Sequence, residues 1–158
     1  MDYQVIYFSK SSLKNTKRIA DVIAGSLGTT AESVSPETKI KTSKVLFIGS
    51  GVYIGRIGKS LREFMDKLPQ MEGQKAAIFI THGGGPVKAT AEIREKLEEK
   101  GCIIIDTWDC FGQWAFFKRG HPTEGDMQNA RNFAQETTRK AENQAGVERG
   151  ELEIAEQQ

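Results

Sequence analysis

Short runs of consecutive apolar residues alternate along the chain with longer segments in which apolar residues recur every three or four positions. The strongest runs cover residues 5–8, 45–48, 76–80 and 102–105. Unbroken runs of this length are typical of parallel strands that are covered on both faces. Residues 29–34 form a weaker run, and we interpret them as a fifth strand closer to an edge.

The segments between the runs predict helices. Apolar residues at i, i+3, i+4 and i+8 begin after Asn15 and Thr16, both good N-cap types, and Gly28 provides a stop. Similar spacing follows Ser60 and Pro86, and again covers residues 127–137. Residues 35–44 are polar with weak periodicity, so a short helix or a loop is expected there.

This alternation predicts an α/β fold, namely a doubly wound five-stranded parallel sheet of order 2-1-3-4-5 with helices on both faces. In such a sheet a ligand lies at the carboxyl ends of strands 1 and 3. We expect one domain over residues 1–145. Residues 146–158 are polar and rich in glutamate, and they are predicted to form a frayed helix end or a disordered tail.

Composition narrows the class of protein. The 158 residues carry 22 basic and 21 acidic side chains, a balance that argues against nucleic-acid binding driven by bulk charge. No apolar stretch approaches the roughly 20 residues of a membrane span, and no signal peptide is predicted. Cys102 and Cys110 suit neither a disulfide framework nor a zinc site, so a reducing cytoplasm is expected. His82 and His121 do not indicate a metal site.

The loop after the first strand has a composition that favours anions. Hydroxyl and amide side chains there precede a helix, whose N-terminus carries a partial positive charge and unpaired N–H groups. Lys10 and Lys14 add charge. The loop therefore predicts a phosphate site, and the alternative is an ordinary polar loop with an N-cap. The candidate phosphate ligands are Ser9, Ser11, Ser12, Asn15 and Thr16.

Two further loops at the same edge are rich in glycine. Residues 49–58 hold four glycines around Tyr53, whose ring offers a stacking face, although a flexible connection would have the same composition. Residues 81–86 place three glycines after a strand, where backbone N–H groups are accessible. Neither a dinucleotide fingerprint nor a P-loop is present. The three loops together predict a mononucleotide ligand, and flavin mononucleotide (FMN) fits.

These loops also resemble those of a known family. The stretches "VIYFSKS…NTKRIA", "VLFIGSGVYIGRIGKSLREFMDKL", "AAIFITHGGGP" and "CFGQWAFFKRGHPTEGDMQNARNFAQ" are similar to the corresponding segments of the flavodoxin-like family, over residues 3–141. The resemblance implies that FMN phosphate lies in the first loop and the flavin ring between the other two. It assigns phosphate contacts to Ser9, Ser11, Asn15 and Thr16, and the charge of Lys10 adds that residue to the predicted phosphate site. It assigns ring contacts to Ser50, Val52, Tyr53, Ile54 and Gly55, and ring-edge contacts to Thr81, His82, Gly83 and Gly84. Gly51, in the same loop, is also predicted to bind the cofactor.

The chain departs from the family in two respects. Its first loop is two residues longer than usual, with Ser12-Leu13-Lys14 in place of a glycine, and the chain is nearly neutral where many flavodoxins are acidic. The three loops contain no carboxylate. Residues 109–124 form a long aromatic connection, which could cover the flavin edge, dock a partner or pack as a hydrophobic plug.

Three functions remain open at this point. The leading one is an FMN protein that carries electrons between redox partner proteins, with the chemistry supplied by the flavin. The second is an FMN-dependent oxidoreductase acting on a quinone or a porphyrinogen-type substrate. The third is an interaction module that has kept the fold and lost FMN. No catalytic side chain is assigned, and the chain is expected to be a monomer or a homodimer.

Overall fold

A computed structural model describes residues 2–10, 14–53, 55–112 and 120–158. Strands and helices alternate throughout these ranges. The elements are β1 (Tyr3–Phe8), α1 (Asn15–Ser26), β2 (Ala31–Ser33), β3 (Val45–Gly51), α2 (Lys59–Asp66), β4 (Lys75–His82), α3 (Val87–Glu99), β5 (Ile103–Phe111) and α4 (Glu124–Gln157).

The five strands form one parallel sheet of order β2-β1-β3-β4-β5. The predicted fold class and strand order are therefore confirmed. The register aligns the carboxyl ends of neighbouring strands, since Phe8 pairs with Ser50, Gly51 with Thr81, and His82 with Phe111. The loops that leave β1, β3 and β4 consequently share one edge of the sheet.

Each face of the sheet has its own hydrophobic core, because successive side chains of a strand point to opposite faces. On one face, α1 and α4 cover side chains such as Val5, Phe47 and Phe79. On the other face, α2 and α3 cover Ile48 and Ile80, among others. β2 has three residues and β5 is largely half-exposed, in keeping with their positions at the edges.

The connection from β2 to β3 is a loop. Residues 34–44 contain no helix, and two hydrogen bonds of 2.8 Å through the Gln4 side chain, to the Lys39 carbonyl and from the Lys41 N–H, hold the loop against β1. A doubly wound sheet ordinarily carries a crossover helix at this place. A groove of about 630 Å³ lies there instead, between the loop and α2.

The last helix is much longer than the sheet. α4 starts at a capping box between Thr123 and Asp126 and continues to Gln157, so the segment predicted as a frayed helix end or a disordered tail is helical. Its last buried residue is Ala141. Beyond it, Val147, Leu152 and Ile154 are about 60% exposed. No helix in the described ranges combines the length and the apolar character that crossing a membrane requires.

Candidate functional site

The first loop presents a buried hydroxyl group at the carboxyl end of β1. The Ser9 Oγ atom is buried and has no hydrogen-bond partner among the described residues. The next residue, Lys10, donates its backbone N–H to the Tyr53 hydroxyl over 2.6 Å, which joins the first loop to the second. The predicted ligand Ser11 and the candidate Ser12 lie outside the described residues.

α1 begins with no acidic residue in its first turn and no side-chain cap. Lys14 is the N-cap residue, in the left-handed region at φ 53°, and not Asn15 or Thr16 as their types suggested. Asn15 and Thr16 are instead the first two helical residues, and both are buried. Thr16 does not act as the cap because its hydroxyl makes a tertiary contact, 2.8 Å from the hydroxyl of Thr81 at the end of β4. Among the described residues, no acidic side chain in the first turn and no side-chain cap offsets the positive end of the helix.

The second loop folds into a tight turn. The N–H and C=O groups of Tyr53 and Arg56 pair at 2.7 and 3.1 Å, and Gly55 between them has φ 76°. The Tyr53 ring lies over Gly51, where a Cβ atom would come within 2.7 Å of the tyrosine hydroxyl. Tyr53 therefore spans the site from the second loop to the first. Ile54 lies outside the described residues.

Some glycines of the second loop serve internal packing. A Cβ atom on Gly49 would lie 1.9 Å from the Phe79 ring, and one on Gly58 would lie 2.1 Å from the Phe8 ring. Ser50 is likewise fully buried, and its hydroxyl donates to the Gly51 carbonyl over 2.7 Å. The side chain of Ser50 is thus engaged inside the protein, which leaves the backbone as its means of contact with a ligand.

The third loop is open on its outer side. Gly83 and Gly84 are exposed, and a Cβ atom on Gly84 would meet nothing within 4 Å. The loop is attached to the second, because the half-buried Val52 donates its N–H to the Thr81 carbonyl over 3.2 Å. Thr81 thereby contacts both neighbouring loops, through its carbonyl and, by way of Thr16, through its hydroxyl. The structure brings the described predicted residues of all three loops to one edge.

A carboxylate missed by the sequence reasoning lies beside the third loop. His82 is 7% exposed, and its Nε2 atom lies 2.7 Å from Asp109 Oδ2 on β5. Its Nδ1 atom is buried and unpartnered among the described residues. The sequence held a signal for this pair, since β4 and β5 are predicted neighbours that end at the same edge. With Nε2–H donated to Asp109, Nδ1 accepts a hydrogen bond in the neutral ring and donates one in the imidazolium.

The basic side chains around the site differ in whether a carboxylate compensates their charge. Arg56 lies 3.4 Å from Glu92, which also accepts a 2.5 Å bond from Arg62. Burial alone would raise the pKa of Glu92, but the two guanidinium groups outweigh it and lower that pKa. Arg56 is therefore charge-compensated, in contrast to the exposed Lys10, which forms no ion pair within the described ranges.

The last strand contributes an inert thiol and an aromatic ring. Burial, with smaller contributions from Asp126 and Asp109, raises the pKa of Cys110 to about 12, so the group stays a neutral thiol. The Phe111 ring packs edge-on against the imidazoles of His82 and His121, with centroids 5.1 and 5.7 Å apart. The remaining aromatic residues of the predicted 109–124 loop, at 114, 116 and 117, lie outside the described residues.

Comparison with known proteins identifies the family. The model of the flavodoxin domain matches residues 4–112, well over half of the chain. The chain belongs to the flavodoxin-domain family. The matched range includes all three loops of this flavodoxin domain, so the resemblance predicted from the loop sequences is confirmed.

Individual relatives agree with this assignment. An uncharacterized protein of Methanocaldococcus jannaschii is 34% identical over 143 residues, covering 82% of this chain and 94% of that protein. A flavodoxin from the domain Archaea superposes with a TM-score of 0.71 at 19% identity, over 89% of this chain and 99% of that one. A flavoprotein of Lactobacillus acidophilus in complex with FMN gives 0.55 at 17% identity, over 68% and 92%. At such identities the two structures show that the flavodoxin domain shares their fold.

Proposed function

We propose that this flavodoxin-domain protein binds FMN and carries electrons between redox partner proteins. One observation carries the proposal. The buried hydroxyl of Ser9 has no hydrogen-bond partner among the described residues, and its loop leads into a helix whose first turn has neither an acid nor a side-chain cap. A buried polar atom without a partner is costly, and a phosphate oxygen would remove that cost. When bound, FMN would supply one- and two-electron chemistry that the side chains lack.

The residues present fit such a cofactor. Ser9 and the start of α1 would hold the phosphate, joined by Lys10 and by Ser11 of the predicted set. Tyr53 would flank the ring, and the open backbone at Gly83 and Gly84 would meet its edge. The protein's own contribution is to bind, to orient the ring and to keep charges near it. Two buried neutral thiols, Cys102 and Cys110, are in keeping with a reducing cytoplasm.

One observation favours a second candidate, an FMN-dependent oxidoreductase acting on a quinone or a porphyrinogen. Such substrates exchange protons as well as electrons, whereas a carrier between proteins needs no proton donor at the site. Asp109 holds His82 through Nε2, and the buried Nδ1 of His82 has no partner among the described residues, so the imidazole is placed to exchange a hydrogen bond with such a substrate beside the third loop.

Oxidation of the reduced, FMN-loaded protein separates the two candidates. We expect ferric cytochrome c to oxidise it rapidly, and menadione with an NADPH-dependent reductase to give no multiple turnover above the level of free FMN. Sustained turnover of menadione that falls at least tenfold in Asp109→Asn, with cytochrome c oxidation unchanged, would contradict the carrier and favour the enzyme.

A further inference from the structure

The groove between α2 and the β2–β3 loop is an apolar surface that the domain leaves uncovered. Its lining includes Phe8, Val34, Ile40 and Phe64, all only partly buried against the core beneath α2 and α3. The groove runs along α2, whose eight residues give it a length of about 12 Å. Its dimensions are those of one or two turns of helix, the element that the β2–β3 connection lacks.

The rim of the groove is positively charged. Lys39 lies on the loop side and Lys67 at the end of α2, and both are exposed. Neither has an ion-pair partner within the described ranges. Glu63, which also lines the groove, is offset by Lys59 at 3.7 Å. The rim therefore favours an occupant that carries carboxylates on either side of an apolar stripe.

The C-terminal part of α4 has the matching features. Val147 and Ile154 are seven residues apart, hence on one helical face about 10 Å long, and they are 62% and 60% exposed. Gly150 lies between them on that face and permits close approach. Glu151 and Glu153 lie on opposite sides of the stripe, and neither forms an ion pair among the described residues.

We propose that this flavodoxin domain forms a closed dimer in which residues 147–154 of each copy lie in the groove of the other. Val147 and Ile154 pack on Phe64 and Ile40, while Glu151 and Glu153 pair with Lys39 and Lys67. Each copy has one such helix end and one groove, so a reciprocal exchange is complete at two chains. The proposal is independent of FMN, because no residue of the three loops except Phe8 at their base takes part.

Sedimentation velocity of the full chain at 10–200 µM tests the proposal. We expect a species of about twice the 17.5 kDa chain mass, with or without added FMN. A monomer over the whole range overturns the proposal, as it would leave the groove to a different protein. Assemblies that grow beyond two chains overturn the closed exchange.

Charge exchange tests the pairing itself. Lys39→Glu with Lys67→Glu should weaken dimerisation at least tenfold, and so should Glu151→Lys with Glu153→Lys. All four substitutions in one chain should restore the dimer. Lys88→Glu with Lys100→Glu makes the same change in net charge elsewhere and should have no effect. A quadruple variant that stays monomeric while its melting temperature is unchanged overturns the assigned contacts.

The apolar stripe has a matched control on the same helix. Ile154→Ser should weaken the dimer, whereas Leu152→Ser should not, because Leu152 is equally exposed but lies on the face that continues toward Ala141 and Ala145. Equal effects of the two substitutions, or no effect of Ile154→Ser, contradict the proposed face.

Discussion

Ser9 is the residue on which the phosphate assignment depends most directly. Its buried Oγ has no partner among the described residues, so removing it leaves the free protein intact and removes one hydrogen bond to a bound anion. Hydrogen bonds to charged groups contribute about 1.5–3 kcal/mol. We therefore expect Ser9→Ala to weaken FMN binding about tenfold or more, measured by quenching of FMN fluorescence, with an unchanged melting temperature.

Ser43 provides the matched control for this substitution. Its Oγ is also buried and unpartnered in the described structure, but it lies just before β3, at the opposite edge of the sheet. Ser43→Ala should leave FMN affinity at the wild-type value. Equal affinities of the two variants would show that Ser9 does not touch the phosphate.

Gly58 and Gly84 should respond in opposite ways to replacement by alanine. At Gly58 the new methyl group would collide with the Phe8 ring, and overpacking of this kind costs about 1–3 kcal/mol of stability. At Gly84 the methyl group enters open space, so stability should be unchanged while FMN binding weakens if the ring edge approaches there. Urea unfolding and FMN titration of both variants measure the two effects. A destabilised Gly84→Ala with normal FMN affinity would contradict this division.

The start of α4 depends on its capping box. Asp126 accepts from the Thr123 N–H and from His121 Nδ1, both over 2.7 Å, and Thr123 accepts in return from the Asp126 N–H over 3.1 Å. Burial alone would raise the pKa of Asp126, but the Thr123 N–H, the Thr123 hydroxyl and His121 together lower it. Loss of such a cap costs about 1 kcal/mol.

The stabilisation of the fold by the Asp126 carboxylate depends on pH, in a direction set by its lowered pKa. Because the folded pKa lies below the unfolded one, the stabilisation is present above the unfolded pKa and is lost as the pH falls through the folded pKa. Asp126→Asn should therefore be less stable than wild type by about 1 kcal/mol at pH 7, and the difference should shrink in acid. The midpoints of urea unfolding of both proteins, at pH 7 and below pH 4, measure this difference in stability. A difference independent of pH would mean that the carboxylate charge is not involved.

Elements were more accessible to sequence reasoning than side-chain contacts. The unbroken runs 45–48 and 76–80 predicted buried strands because both faces of those strands are covered, and periodicity gave the helices. The contacts of Thr16 and Asp109 were not predicted, since each depends on how two strands or a strand and a helix are aligned. Thr16 was expected to cap α1, but its hydroxyl is hydrogen-bonded to that of Thr81. Asp109 was expected in a loop, but its carboxylate is hydrogen-bonded to His82. Ser50 looked accessible because it follows the predicted strand 45–48, but β3 continues to Gly51 and the packing of the sheet buries Ser50.

The balance of charge around the site bears on a property of the whole loaded protein, the reduction potential of its flavin. The three loops contain no carboxylate, but Asp109 on β5 lies beside the third loop, and the positive charge of Arg56 is compensated by Glu92. Exposed lysines such as Lys10 still favour the anionic reduced flavin, so we expect a less negative potential for full reduction than in acidic flavodoxins. For a two-electron couple, a tenfold change in relative binding of the two redox states corresponds to about 30 mV.

Lys10→Glu should therefore lower the potential by tens of millivolts, on the order of one such tenfold step. Lys100→Glu, which makes the same charge change at the opposite edge of the sheet, should shift it far less because the charge is screened over the longer distance. Potentiometric titration of both loaded variants measures the shifts. Equal shifts would indicate that net charge, and not the local charge at the loops, sets the potential.

The central claim is that the three loops form an FMN site. Its most direct test is the visible spectrum of the purified protein after incubation with FMN and desalting. The account predicts that oxidised-flavin absorption is retained at close to one FMN per chain. A colourless protein that also fails to quench FMN fluorescence would contradict the claim, and the chain would then keep the flavodoxin fold without its cofactor.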